Sequence, residues 1–420
     1  MATHASRQGL AFVYVTTLFF IWGAVTSVND VLIPAVKEIF TLTDTQSFLT
    51  QFAFFMAYFV VSLPAAALVS RLGAARSIIF ALVVMVMGCL LMPVATYART
   101  YTIVLFALFV IASGITLLQV SANPLSAVLG PPEKSHFRLV LSQAFNSLGT
   151  VIGPYLAAHT LLQGGLFDGG APTEAKIVES LGRIDTAYYF IAAVIVLLAI
   201  FLFSVRDRIG NAAPAIESHG GVGAALASKW ALLGAAAIFL YVGAEVSIGS
   251  AMVNFLEQPD ILGVAAAQAG KLVSLYWLGA MIGRFLGSGL LTRIPAGRLL
   301  TFVAGVAALL CLVLTQIHGH QAAGIAISIG LFNAIMFPVI FTLTLERSTA
   351  PAPATSGLLC MAIVGGALVP LLFARVADLT ASRSTAFLVP LVCYVLIVLF
   401  ALAAGRARIV AEADPAVASH

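Results

Sequence analysis

Charge is what this sequence lacks. Only 9% of its 420 residues are Asp, Glu, Lys or Arg, against 61% that are hydrophobic. Soluble domains carry about 25% charged residues, so the composition excludes an ordinary water-soluble globular protein. The four cysteines (Cys89, Cys311, Cys360 and Cys393) show neither paired nor metal-ligand spacing. That excludes a disulfide scaffold and a zinc module and leaves apolar packing as their role. There is no phosphate-binding glycine loop and no nucleophile–base pair, so no enzyme class is indicated, and neither a cofactor nor a bound metal is expected. The formal charge of +4 is distributed by loop rather than by patch and predicts no nucleic-acid partner. Met1–Gly9 is polar and the apolar run behind it is too long for a signal-peptide core, so no cleavable signal is expected.

What is abundant is long apolar runs, and the mean hydropathy is +1.06. A membrane-spanning helix needs about 20 apolar residues, and that pattern recurs along the chain. The sequence predicts an all-α polytopic membrane protein with twelve spans. They lie near residues 10–32, 47–69, 77–96, 101–127, 139–163, 185–205, 230–256, 266–291, 299–317, 321–345, 355–378 and 384–404. With the N-terminus inside, thirteen Lys and Arg fall in cytoplasmic loops and six in the opposite ones. This positive-inside bias predicts that both termini are cytoplasmic.

The chain reads as one fold written twice. The connection 206–229 is rich in Gly, Ala, Pro and Ser and predicts a cytoplasmic linker. It separates six-helix halves at 1–205 and 230–405, with a cytoplasmic tail at 406–420. Gly23-Ala24-x-x-Ser27 recurs as Gly243-Ala244-x-x-Ser247, Ser70-Arg71-x-x-x-x-Arg76 as Thr292-Arg293-x-x-x-x-Arg298, and Pro124 as Pro338. The offsets of 220, 222 and 214 residues point to a duplication. Two parallel six-helix repeats resemble the major facilitator fold, with substrate held near the membrane midplane. Arg71, Arg76, Arg293 and Arg298 resemble that superfamily's inner-loop gating signature, although Ser70 and Thr292 stand where it usually has an acid. Topology signals alone would also place basic residues there.

A polar side chain inside a spanning helix must face a cavity or another helix, because lipid offers no hydrogen bond. Asp30 stands alone in the apolar run Leu10–Pro34. A carboxylate at that depth costs about 2.5–3.5 kcal/mol on insertion scales, so it marks a functional site. Trp22, Thr26, Asn29 and Asp30 share one helical stripe. Gln119 and Asn123 are four apart, Gln143 and Asn146 three apart. The second half carries Glu245, Asn254, Tyr276, Trp277 and Asn333. Single amides are commonly inter-helix glue, and Trp or Tyr near span ends are commonly interfacial anchors. As a set, amides beside aromatic rings suit a neutral polyol: the amides offer donors and acceptors, and the rings cover the C–H face of a sugar. Arg284 lies about 13 Å along its helix from Arg293 and reads as an inner-gate residue. His159, His318 and His320 fall at span ends or in loops.

These residues carry a resemblance across nearly the whole chain. Phe19-Phe-Ile-Trp-Gly23 with Asn29-Asp30-Val-Leu-Ile-Pro34 resembles the opening helix of the fucose–galactose–glucose:H+ symporters. So do Ser121-Ala-Asn-Pro124, Leu129-Gly-Pro-Pro132, His136-Phe-Arg-Leu139 and Gln143-Ala-Phe-Asn-Ser-Leu-Gly149. Gly243-Ala-Glu-Val-Ser-Ile-Gly249, Gly283-Arg-Phe285 and Met336-Phe-Pro338 continue the likeness. The resemblance implies a monomeric hexose importer driven by a coupling cation, H+ or in a related case Na+. The acid matching Asp30 is expected to carry the proton. The L-fucose branch has a second acid where this chain has Gln119, and the glucose/galactose and N-acetylglucosamine branch has Gln there and an acid at Glu245. Coupling is therefore expected to rest on Asp30 and Glu245, with protonation alternating as the cavity opens to either side. Trp22, Asn29, Gln119, Asn123, Gln143, Asn146, Asn254, Tyr276, Trp277 and Asn333 are the expected sugar contacts. The competing expectations are a Na+-coupled sugar symporter of the same family and a drug:H+ antiporter of the same fold.

Overall fold

The computed structural model describes residues 2–40, 42, 44–160, 165, 173–212, 221 and 223–410. Within these, the side chains of residues 2–6, 28–35, 38, 44, 45, 47, 48, 157–160 and 267 lie outside the description. The described residues contain helices and turns and no strand. The first six long helices are α1 (Ala2–Ile39), α2 (Asp44–Leu72), α3 (Ala74–Ala98), α4 (Tyr101–Val128), α5 (Ser135–Thr160) and α6 (Glu174–Ala212). Then follow α7 (Lys229–Leu256), α8 (Ala266–Leu290) and α9 (Ala296–Leu314). The next two are interrupted, α10 (Gly319–Asn333 and Met336–Arg347) and α11 (Ala352–Met361 and Gly365–Thr380), and α12 (Leu388–Arg406) is continuous.

Among the described residues, ten of these segments are long and apolar enough to cross a membrane. The other two are α5 and α8, which carry Gln143 and Asn146 in one case and Lys271 and Arg284 in the other. Large apolar side chains stand exposed on the outer faces, among them Phe80, Met87, Leu197, Phe302 and Leu399. In water such a surface would aggregate; in a bilayer it meets its natural solvent. The four cysteines are free and buried.

Local chemistry sets the helix ends. Gly73 takes φ 78° between α2 and α3, and Arg99 and Ala381 close α3 and α11 in the left-handed region. Ser228 caps α7 by accepting from the Ala231 N–H at 3.4 Å. The sequence placed a linker from residue 206, yet α6 continues helically to Ala212. Arg206 supports that extension by donating to the Phe203 carbonyl at 2.8 Å and lying 3.9 Å over its ring.

The break in α10 has a covalent cause. Pro338 has no N–H, so it withdraws the hydrogen bond that Ala334 four residues earlier would receive, and its ring crowds that carbonyl. Helix stops at Asn333 and resumes at Met336. Arg284 of α8 donates through Nε to the Ala334 carbonyl at 3.0 Å, and the Tyr241 hydroxyl of α7 donates to the Asn333 carbonyl at 3.0 Å. Both carbonyls at the break are thereby satisfied inside the protein.

By its contacts the chain divides into two compact units, one of Met1–Gly130 with Phe145–Ile216, the other of Pro131–Ala144 with Glu217–His420. In the first, α4 packs against α2 and α3, and α6 lies on α3. In the second, α10 packs against α8 and α9, and α12 lies on α9. The segment Pro131–Ala144, which the sequence assigned to the first half, groups with the second unit. Its polar start explains this. His136 pairs through Nε2 with Glu346 at 3.2 Å and through Nδ1 with Thr342 at 2.5 Å, while Ser135 donates to Glu346 at 2.8 Å.

The duplication is visible as a repeated close contact. A Cβ at Gly149 of α5 would strike the Phe20 carbonyl of α1, and a Cβ at Gly365 of α11 would strike the Phe239 carbonyl of α7. Both glycines exist because another helix backbone lies where a side chain would go.

Candidate functional site

In the first unit, α1 presents Trp22, which is buried and lies 5.3 Å from the Phe19 ring. Thr26 stands one turn on and bonds back to the Trp22 carbonyl at 3.0 Å. Asn29 and Asp30 continue this helix, and their side chains lie outside the described residues, as does that of His159. Asn146 of α5 donates through Nδ2 to the Phe19 carbonyl at 3.0 Å. Gly23 allows that approach, since a Cβ there would meet the Asn146 backbone. Gln119 of α4 donates through Nε2 to the Tyr58 hydroxyl of α2 at 2.5 Å. Asn123, one turn further along α4, is wholly buried. Gln143 is buried too and belongs to the segment grouped with the second unit.

In the second unit the polar groups converge on Asn333, which has no exposed surface. Its Nδ2 donates to the Tyr276 hydroxyl at 2.8 Å, and its Oδ1 accepts from the Tyr394 hydroxyl at 2.7 Å. The Tyr276 hydroxyl donates to the Glu245 backbone carbonyl at 3.4 Å, so its oxygen is the acceptor for Asn333. Tyr241, on the same helix face one turn before Glu245, donates to the Asn333 carbonyl. Arg284, expected as an inner gate, caps the α10 break. Glu245 itself is half-buried.

Two expected contacts, Trp277 and Asn254, are more exposed than the buried amides of the set. Trp277 is 45% exposed while its neighbour Tyr276 is buried, because consecutive helical residues point about 100° apart. Asn254 is exposed near the end of α7. Arg71, Arg76, Arg293 and Arg298 are exposed around the short α2–α3 and α8–α9 turns. The hydroxyls at the superfamily's acid positions turn back on their own helices. Ser70 donates to Ala66 at 3.0 Å and Thr292 to Gly289 at 2.7 Å. His318, before α10, pairs with Asp260 of the α7–α8 connection at 3.1 Å, both exposed.

Sequence reasoning missed Tyr58, Tyr241 and Tyr394. Tyr58 had a signal, since it precedes Tyr276 by 218 residues, the repeat offset. Tyr241 stands one turn from an intramembrane acid. Tyr394 carried no local sign, as its partner lies on a distant helix. Together these side chains form donor–acceptor chains beside aromatic faces. They do not form a metal site: among the described residues no group of three His, Cys, Asp or Glu comes together.

Comparison with known proteins agrees with this architecture. The Major Facilitator Superfamily profile matches residues 14–358. The chain is 43% identical to the glucose/galactose transporter of Brucella abortus over 409 residues, covering 96% of this chain and 97% of that one. It is 30% identical to the L-fucose-proton symporter of Escherichia coli K12, covering 93% and 92%. The crystal structure of the transporter FucP in the outward conformation superposes with a TM-score of 0.86 at 28% identity, covering 96% of this chain and all of that one. With the repeat, the amide–aromatic clusters and a near full-length match, the chain belongs to the Major Facilitator Superfamily and, within it, to the fucose–galactose–glucose:H+ symporter family.

Proposed function

We propose that this protein imports a hexose-type sugar (glucose, galactose, N-acetylglucosamine or a fucose-like sugar) by proton symport through alternating access. It is a secondary active transporter and not an enzyme. The observation that carries the reading is 43% identity over 96% of the chain to a glucose/galactose transporter. The proton is favoured over Na+ as the coupling ion because another full-length relative is a sugar–proton symporter. Asp30 is the proton carrier and Glu245 the second coupling acid. Trp22, Asn29, Gln119, Asn123, Gln143 and Asn146 contact the sugar in the first half. In the second half Asn333 and Tyr276 support the site, and Arg284 holds the α10 break beside Glu245. The protein works as a monomer in a bacterial inner membrane with both termini cytoplasmic. Transport requires that sugar and proton together shift a balance of a few kcal/mol between two states.

The test is uptake of labelled sugars into proteoliposomes, with pH and Na+ gradients imposed separately. A pH gradient drives accumulation and a Na+ gradient does not. Asp30→Asn loses gradient-driven accumulation while keeping sugar exchange at equal concentrations. Unchanged accumulation in Asp30→Asn removes Asp30 from coupling, and accumulation under Na+ alone reverses the choice of ion.

A further inference from the structure

The duplication has copied one hydrogen bond as well as the helices. Tyr58 and Tyr276 are 218 residues apart, and Gln119 and Asn333 are 214 apart, both within the offset that relates the halves. In the first half an α4 amide donates to an α2 tyrosine, Gln119 to Tyr58 at 2.5 Å. In the second, an α10 amide donates to an α8 tyrosine, Asn333 to Tyr276 at 2.8 Å. The two copies differ in what is left over. The Asn333 side chain is closed: its Oδ1 is taken by Tyr394, and none of its surface is exposed. Gln119 has a longer arm and 9% exposure, and among the described residues its Oε1 has no hydrogen-bond partner. A polar oxygen in a spanning helix needs a donor.

We infer that Tyr58 is a positioning residue for substrate recognition: it holds the Gln119 amide by Nε2, so that Oε1 is presented as a fixed acceptor for one sugar hydroxyl, while the repeat-related Tyr276–Asn333 pair is a structural pin. An amide free to flip would present N–H and C=O by turns and discriminate weakly. Held at one end, it reads a donor hydroxyl at the other. A site built around one hydroxyl rejects the analogue that lacks it, because the acceptor, shut off from water by the bound sugar, is then left unmet.

The inference rests on the sugar reading, and the experiment separates the two. Uptake of glucose, galactose and each of their monodeoxy analogues is measured in proteoliposomes for the wild type, Tyr58→Phe, Gln119→Leu, Gln119→Glu and Tyr276→Phe. Folding of each variant is followed by thermal melting in detergent. The wild type transports one deoxy analogue with a KM about tenfold above its parent sugar. Gln119→Leu abolishes that preference. Tyr58→Phe reduces it at least threefold, with kcat for the parent sugar changed less than KM. Gln119→Glu, whose carboxylate accepts in either orientation, keeps it. Tyr276→Phe lowers the melting temperature and shifts the deoxy pattern less than Tyr58→Phe does. A folded Tyr58→Phe with the wild-type deoxy pattern overturns the inference, and so does Tyr276→Phe shifting the pattern as much as Tyr58→Phe. If Tyr58→Phe does not fold, a wild-type deoxy pattern in Gln119→Leu overturns it instead. A wild type that takes up no sugar of the panel overturns the sugar reading and the inference with it.

Discussion

Asn333 and Gln119 show how one residue type takes different work from its surroundings. Both are amides in spanning helices, and from sequence both stood as sugar contacts. Asn333 is wholly buried with Nδ2 on Tyr276 and Oδ1 on Tyr394. Its task is to satisfy two buried hydroxyls that lipid cannot. Asn333→Leu removes a donor and an acceptor together: the Tyr394 hydroxyl loses its acceptor, and the Tyr276 oxygen loses its donor while keeping its own bond to the Glu245 carbonyl. The expected loss of stability is about 1–3 kcal/mol, since each unmet buried group carries a desolvation penalty. Thermal or denaturant unfolding in detergent measures it, and Asn333→Asp, which keeps an acceptor for Tyr394, recovers part of the loss. A Leu variant as stable as the wild type would show that the pin is dispensable.

At the scale of the element, α10 is defined by a proline. Pro338 leaves the Ala334 carbonyl without its helical donor, and Arg284 supplies one at 3.0 Å. The two residues therefore form an interacting pair although they sit on different helices. Arg284→Gln alone leaves a buried carbonyl unmet and costs stability of about 1–3 kcal/mol. In a Pro338→Ala background, the restored N–H at position 338 can meet Ala334, so the same Arg284→Gln substitution costs less. A double-mutant cycle on melting free energies should give a coupling of about 0.5–3 kcal/mol. Additive effects within error would mean that Arg284 does not serve the break. The break also explains why Arg284 looked like a gate from sequence: a cation deep in a spanning helix demands a task, and position alone does not say which.

At the scale of the whole molecule, the repeat reaches down to backbone contact. Gly149 meets the Phe20 carbonyl and Gly365 meets the Phe239 carbonyl, each inside its own unit. A methyl at either place pushes two helices apart, so Gly149→Ala and Gly365→Ala should each destabilise by about 1–3 kcal/mol. Gly182→Ala and Gly305→Ala are the controls, since a Cβ there meets nothing within 4 Å. Yield and melting temperature of the four purified variants decide it. A loss in one half with none in the other would mean that the contact matters in one copy only.

The sequence by itself determined the class and the plan. Scarcity of charge and repetition of apolar runs require a polytopic helical bundle, because only closed hydrogen bonding survives in lipid. Gly23 with Gly243, and Pro124 with Pro338, were enough to read one fold written twice. They also limited the candidate site to the few polar residues within spans, Trp22, Gln119, Asn146, Glu245, Tyr276 and Asn333 among them. Tertiary structure alone decided which of those residues hold the protein together and which keep an open polar atom. Asn333 has no open polar atom because Tyr394, 61 residues away in the chain, takes its Oδ1. Trp277 and Tyr276 parted because adjacent helical positions face different ways. Tyr58 meets Gln119 because α2 and α4 pack against each other. A helix face can be read from spacing along the chain, but the partner across that face is set by packing, and hydrogen bonds in a membrane protein are assigned by the partner.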